Sequence, residues 1–252
     1  MNPFFFGPSD RPLFGVYTHG KAGGGPSSAV LLCYPTGSEY MRAHRAFRQL
    51  NTLLNRVGMS VLRFDYSCTG DSAGDGTDAS VAEWLEDFDW AIEELKDNAL
   101  VDQVSVAGLR LGATLATRAC LERSDVEHLV LWDPIVSGRD YLDEVVGSPR
   151  PSGIVGVEGF PMTPALRDEI DEFDLADRSM VPKGFETTIL VAEDRADYRR
   201  LEEAWRSAGW KGSFEVVPSE GNWAQADPFG DALIPQQIIQ SIVDQLRVVT
   251  AT

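Results

Sequence analysis

A chain of 252 residues, 43% hydrophobic and 24% charged, suits one globular domain that can bury a sizeable core without disulfides or metals. Its formal charge of −17, from 22 Lys and Arg against 39 Asp and Glu, repels phosphate backbones and anionic headgroups, which argues against nucleic-acid and membrane partners. Cys33, Cys68 and Cys120 are widely spaced and form no CxxC pair, so neither a disulfide framework nor a zinc site is expected, and no cofactor is implied.

In chain order, the opening "MNPFFFGPSDRP" has neither the basic nor the apolar region of a secretory signal. No apolar stretch approaches the ~18 residues that span a bilayer, so a cytoplasmic location is expected. "LFGVYTHG" (13–20) reads as a strand and "KAGGGPSS" as a turn. "AVLLCYP" (29–35) is a continuous apolar run of the kind buried on both faces of a parallel sheet. Phe47, Leu50, Leu53, Leu54 and Val57 then recur at helical spacing up to Gly58. The strand "MSVLRFDY" follows, and a helix with Trp84, Leu85, Phe88, Ile92 and Leu95 on one stripe. "QVSVAGL" is a strand running straight into the helix "LGATLATRACLE", and "EHLVLWDP" is a strand closed by Pro134.

Residues 137–184 break this alternation with Gly, Pro and acidic residues and two short helical candidates, "RDYLDEVV" and "TPALRDEIDEF". Strand "TTILVAE", helix "DYRRLEEAWRSAG", strand "SFEVVPS" and helix "ALIPQQIIQSIVDQLR" restore it. Alternating strands and helices predict an α/β fold: one domain over 1–252, with a mostly parallel sheet of about eight strands covered by helices on both faces. The interruption at 137–184 is expected to be a small cap over the carboxyl ends of the strands, where ligands bind in such sheets.

"CYPTGSEYMRAHRAFRQL", "VLRFDYSCTGDSAGD", "VAGLRLGATLA" and "VLWDPIVSGRDYL" resemble the α/β-hydrolase superfamily, and within it the serine aminopeptidase-like and exosortase-associated hydrolase branch. The resemblance covers nearly the whole chain and implies the α/β-hydrolase fold. "FDYSCTGDSAG" is similar to the family's Asp-x-x-Gly-x-Gly-x-Ser turn, with Cys68 in place of the first glycine. "GLRLG", between a strand and a helix, stands where the family keeps its Gly-x-Ser-x-Gly nucleophile elbow. Gly108 and Gly112 would permit the sharp turn and close helix–strand packing there.

The family's serine chemistry needs a nucleophile, a base and an acid. The elbow residue is Arg110, a permanent cation that cannot attack a carbonyl. The resemblance would place the histidine near Asn222 or Trp223, yet the three histidines are His19, His44 and His128. The acid could remain as Asp133, Asp194 or Asp197, although a turn or a helix cap accounts for each as well. Cys33 and Cys68 read as small buried or inert thiols, and His44 could face the top of the sheet.

An arginine at a helix N-terminus opposes the helix dipole and calls for an anion. Asp133, Asp194, Asp197 and Glu39 are its candidate partners. Two readings stay open: a fork that holds a substrate carboxylate, phosphate or polarised carbonyl, or an internal salt bridge that fills the pocket. Beside Arg110, His44 and the three aspartates, the candidate ligand contacts are Tyr34, Thr36, Glu39, Tyr40, Cys68, Leu111 and Trp223.

The expected function is binding of a small acyl or carboxylate-bearing metabolite on a degenerate triad. A non-hydrolytic step such as cyclisation in a biosynthetic pathway is implied by analogy with the branch. The alternatives are a hydrolase of esters, thioesters or amides with a rearranged site through His44 or Cys68, and a non-catalytic scaffold. A protein partner or a homodimer is left open.

Overall fold

The computed structural model describes residues 1–20, 28–219 and 234–249. Its strands are β1 (Asn2–Phe6), β2 (Leu13–Thr18), β3 (Ala29–Cys33), β4 (Ser60–Phe64), β5 (Val104–Leu109), β6 (Val126–Trp132), β7 (Val155–Val157), β8 (Phe160–Met162), β9 (Glu186–Val191) and β10 (Ser213–Val216). Its helices are α1 (Ser38–Arg56), α2 (Val81–Ala99), α3 (Leu111–Cys120), α4 (Gly138–Val145), α5 (Pro164–Asp171), α6 (Ala196–Ser207) and α7 (Gln236–Val249).

Eight strands form one sheet in the order β1-β2-β4-β3-β5-β6-β9-β10. The β1–β2 and β2–β4 pairs are antiparallel, and every pair from β4 to β10 is parallel. Every residue of β3, β4 and β5 is buried, because helices cover both faces of these central strands. In β2 burial alternates residue by residue, the period-2 signature of a strand near the sheet's edge.

One face is covered by α1 and α7, where Phe47, Leu50 and Leu54 meet Ile238, Ile239 and Ile242 over Val30, Leu32 and Val130. The other is covered by α2, α3 and α6, with Trp84, Phe88, Ile92, Leu115, Leu201 and Trp205 packed on Leu31, Val106 and Leu131. At the start of α2, Ser80 accepts the Glu83 amide at 3.2 Å, satisfying a donor that the helix itself cannot. The edge strand β1 was not expected, since its phenylalanine run shows no clear period. It pairs with β2 from Asn2↔Tyr17 to Phe6↔Leu13.

The segment between β6 and β9 holds α4, the β7–β8 hairpin and α5. Glu158 and Gly159 turn the hairpin with φ of 48° and 94°, the two positive values of a tight primed turn. Among the described residues no helix is long and apolar enough to cross a membrane.

One surface cluster ties α2 to the turn before β6. Asp125 accepts Arg123 Nε at 2.8 Å and Nη2 at 2.6 Å, and Lys96 Nζ at 2.9 Å. The Arg123 hydrogen bonds, with help from Lys96, hold its carboxyl down at about 2. A depressed folded value contributes stability above the unfolded carboxylate range near 3.9, and that stability is lost as pH falls through about 2. Discounted for partial exposure, the contribution is about 1–1.5 kcal/mol. Asp125→Asn is therefore expected to lower unfolding free energy by that amount at neutral pH and to flatten its decline below about pH 4. Denaturant melts across this range read both.

Candidate functional site

Between β5 and α3 stands one residue, Arg110, with φ 54° and ψ −124°. Its N–H donates to the Trp132 carbonyl on β6 at 3.0 Å, and its own carbonyl accepts the Ala113 amide at 3.0 Å. So sharp a strand-to-helix turn needs glycine on both sides. A Cβ on Gly112 would lie 2.2 Å from the Tyr34 carbonyl oxygen, and one on Gly108 would lie 2.6 Å from Ala113 Cα. The positive φ is a strained conformation for arginine, of the kind usually held in place only by surrounding structure.

The side chain is held by Glu39, in the first turn of α1. Arg110 Nε donates to Glu39 Oε1 at 2.9 Å, and the two side chains are 6% and 5% exposed. Of the four carboxylates proposed as partners, Glu39 thus takes the role. The half-exposed Glu144 on α4 brings a second carboxylate to within 4.0 Å of Nη2. The guanidinium carbon stands 5.9 Å from the centre of the Tyr141 ring. Burial pushes the Glu39 carboxyl up, while Arg110 pulls it back. Burial also opposes the Arg110 charge, but the charge and hydrogen bond of Glu39, with Tyr198 and Tyr141, together more than offset it. Glu39 Oε2 is buried without a hydrogen-bond partner among the described residues.

Glu39 and Tyr141 form part of the wall of a cavity of about 370 Å³. One side comes from the loop after β3 and the start of α1 (Thr36–Glu39) and the turn after β4 (Cys68, Thr69). The other comes from α4, the β7–β8 hairpin and Leu166 of α5. The segment between β6 and β9 therefore roofs the carboxyl ends of β3 and β4. Its contribution is largely apolar, through Val145, Val157, Phe160, Pro161, Met162 and Leu166. The turn bearing Cys68 is fixed from below, because buried Asp87 accepts the Ser67 amide at 2.7 Å and its hydroxyl at 2.9 Å.

The other expected residues scatter around this cavity. Thr36 and Cys68 line it, and Thr36 hydrogen-bonds Tyr141. Cys68 has φ 63°. Burial pushes its thiol up, and Glu83, Asp78 and Asp87 push it further, which disfavours the thiolate. Tyr34 and Tyr40 face a separate polar cluster: Arg63 Nη1 donates to the Tyr34 hydroxyl at 2.8 Å, and the Tyr40 hydroxyl donates to Asp65 at 2.8 Å. His44 is exposed beside them, its ring 6.4 Å from each tyrosine ring, and not at the cavity. Burial and the nearby Arg63 charge lower its pKa. Leu111 is fully buried in the first turn of α3 and belongs to the core.

Asp133 follows β6 with φ 42°, and its Oδ1 accepts the Ala192 amide at 2.8 Å, tying the ends of β6 and β9 together. Asp194, just before α6, is paired with Arg199 at 2.6 Å, and Asp197 in its first turn with Arg195 at 2.7 Å, so neither is on Arg110. Trp223 lies outside the described residues. His128 is buried in β6, 2.9 Å from the Thr188 hydroxyl, and desolvation lowers it to about 4. Among the described residues no cluster of His, Cys, Asp and Glu could hold a metal ion.

Sequence reasoning missed the roof's contribution. Tyr141, Glu144 and Val145 sit at i, i+3 and i+4 of α4, so the helical spacing of "RDYLDEVV" was the signal that could have found them.

No family model matches the chain, and no curated protein matches it. Solved structures do. Est1E from Butyrivibrio proteoclasticus superposes with a TM-score of 0.74 at 14% identity, over 100% of both chains. The fold is the α/β-hydrolase fold. The α/β hydrolase GrgF from Penicillium sp. sh18 matches at TM-score 0.72 and 13% identity over 100% of this chain and 99% of its own. Mouse α/β hydrolase domain-containing protein 10 matches at 0.64 and 14% over 99% and 100%.

Proposed function

We propose that this protein is a ligand-binding α/β-hydrolase-fold protein with a degenerate triad, which takes a small acyl or carboxylate-bearing molecule beneath its cap. The observation that carries the reading is the cavity of about 370 Å³, apolar on its roof and bounded at its polar end by Glu39, behind which Arg110 is paired. A volume of this size and this mixture of walls is typical of small-molecule sites. The apolar roof supports the acyl part of the reading. A ligand carboxylate could reach Arg110 only by exchanging with Glu39, which holds its Nε at 2.9 Å. Est1E has been seen with ferulic acid bound, an analogy that rests on fold alone.

The hydrolase alternative draws less support. Cys68 lines the cavity, but acidic neighbours surround its thiol and none of the three histidines lines the cavity with it.

Thermal shift with a panel of medium-chain acyl esters, acyl thioesters and ferulate tests the reading. A ligand at about a hundredfold over its Kd adds about 2.7 kcal/mol to the folded state. For a domain of this size that raises Tm by about 5–10 °C. Leu166→Trp, which fills the cavity from α5, is expected to abolish the shift. No shift with any member of the panel would remove the reading.

A further inference from the structure

We infer that the polar end of the cavity selects a ligand whose head group is a primary ammonium, received by Glu39 and Glu144. This inference rests on the cavity being a site for an acyl- or alkyl-chain ligand, as proposed above, and replaces the carboxylate head group of that reading with a cation.

Glu39 is 4% exposed, lines the cavity, and spends only Oε1 on Arg110. Its Oε2 is buried with no hydrogen-bond partner among the described residues. A carboxylate oxygen left in that state carries an uncompensated desolvation cost, and a donor brought by a ligand would relieve it. The charges around it set the kind of donor. Arg110 faces two carboxylates, Glu39 at 2.9 Å and Glu144 at 4.0 Å, both of which line the cavity.

The cation on the wall itself, Arg42, is matched by Glu158 at 2.5 Å and reaches Glu39 only as a more distant charge. One negative charge is therefore in excess at this end of an otherwise apolar chamber. A neutral hydroxyl would satisfy the orphaned oxygen but leave that excess, and a carboxylate would add to it. An ammonium supplies donors and the missing positive charge together, with no acceptor of its own to leave unpaired. The apolar roof from the β7–β8 hairpin and α5 would take the ligand's hydrocarbon body.

Isothermal titration of the full chain with n-octylamine, n-octanoate and n-octanol at about pH 7.5 tests this, since an alkyl amine like that of lysine is then protonated. The expected result is a Kd for octylammonium at least about tenfold below that for octanoate, with octanol between them. Glu144→Gln, at a half-exposed position where folding is not at risk, is expected to narrow the ratio to about threefold. Glu39→Gln is expected to abolish it, where the variant folds. Octanoate binding as tightly as octylammonium, octanol matching it, or a ratio that Glu144→Gln leaves unchanged would each overturn the inference while leaving the cavity reading intact. If none of the three compounds binds, the inference falls; if the ester, thioester and ferulate panel also gives no thermal shift, the cavity reading falls with it.

Discussion

Arg110→Ala is expected to lower the unfolding free energy by about 3–5 kcal/mol, the usual cost of removing one partner from a buried ion pair. The cause is the partner left behind. Glu39 is 4% exposed, and without the guanidinium at 2.9 Å only the more distant charge of Arg42 is left to offset its own. The position adds a second effect of known sign. Arg110 is held at φ 54° and ψ −124°, a conformation that costs a residue with a Cβ about 1–3 kcal/mol. Arg110→Gly loses the same ion pair but escapes that strain, so it is expected to be more stable than Arg110→Ala by about 1 kcal/mol or more. The double variant Arg110→Met with Glu39→Leu removes both charges and is expected to recover most of the loss. Urea melts of the four proteins separate these contributions. An Arg110→Ala variant within about 1 kcal/mol of the parent would mean the pair does not hold the turn.

That turn shows what a sequence can and cannot disclose about a site. The alternation of apolar runs and amphipathic stretches made the parallel sheet legible, since β3 is buried along its whole length and α2 keeps Trp84, Phe88, Ile92 and Leu95 on one face. The glycines at 108 and 112 were legible too, as the mark of a close approach that only the fold makes measurable. What the pattern could not contain is which of several carboxylates meets Arg110. Glu39 is 71 residues away along the chain and Asp194 is 84, so proximity in sequence has no bearing on the choice.

The deciding fact is geometric: α1 begins where β3 ends, beside the carboxyl end of β5, and its first turn carries Glu39 to the turn at Arg110. Asp194 and Asp197 start a helix whose arginines at 195 and 199 claim them first. The β7–β8 hairpin escaped because three-residue strands are too short for a period to show, although Glu158-Gly159 is a two-residue turn signal. His44 misled because helical spacing places it near the loop after β3 without saying which side of α1 it occupies; that side proves to be the Tyr34–Tyr40 side.

Arg110→Ser places a hydroxyl at the strand–helix turn, yet it is expected to leave ester hydrolysis at the rate of Arg110→Ala. Serine attacks a carbonyl only when a base lies within about 2.6–3.2 Å to take its proton. His128 is buried in β6 against Thr188, and its pKa of about 4 belongs to an imidazole with no place for a charge. His19 is engaged with the Tyr17 hydroxyl at 3.3 Å, and His44 stands outside the cavity. The carboxylate nearest the new hydroxyl would be Glu39, but it cannot substitute.

With the guanidinium gone, burial and the Glu144 charge, opposed only by Arg42, drive that carboxyl further toward the neutral form, which accepts no proton. In a serine triad the loss of the histidine alone costs about as much as the loss of all three members, on the order of 10⁶ in rate. A serine introduced without its base therefore supplies almost none of it. Turnover of p-nitrophenyl octanoate and labelling by a fluorophosphonate probe check the two sides of this argument, rate and nucleophilicity. A gain of more than about a hundredfold over Arg110→Ala, together with labelling at position 110, would reveal a working base and end the degenerate reading of the site.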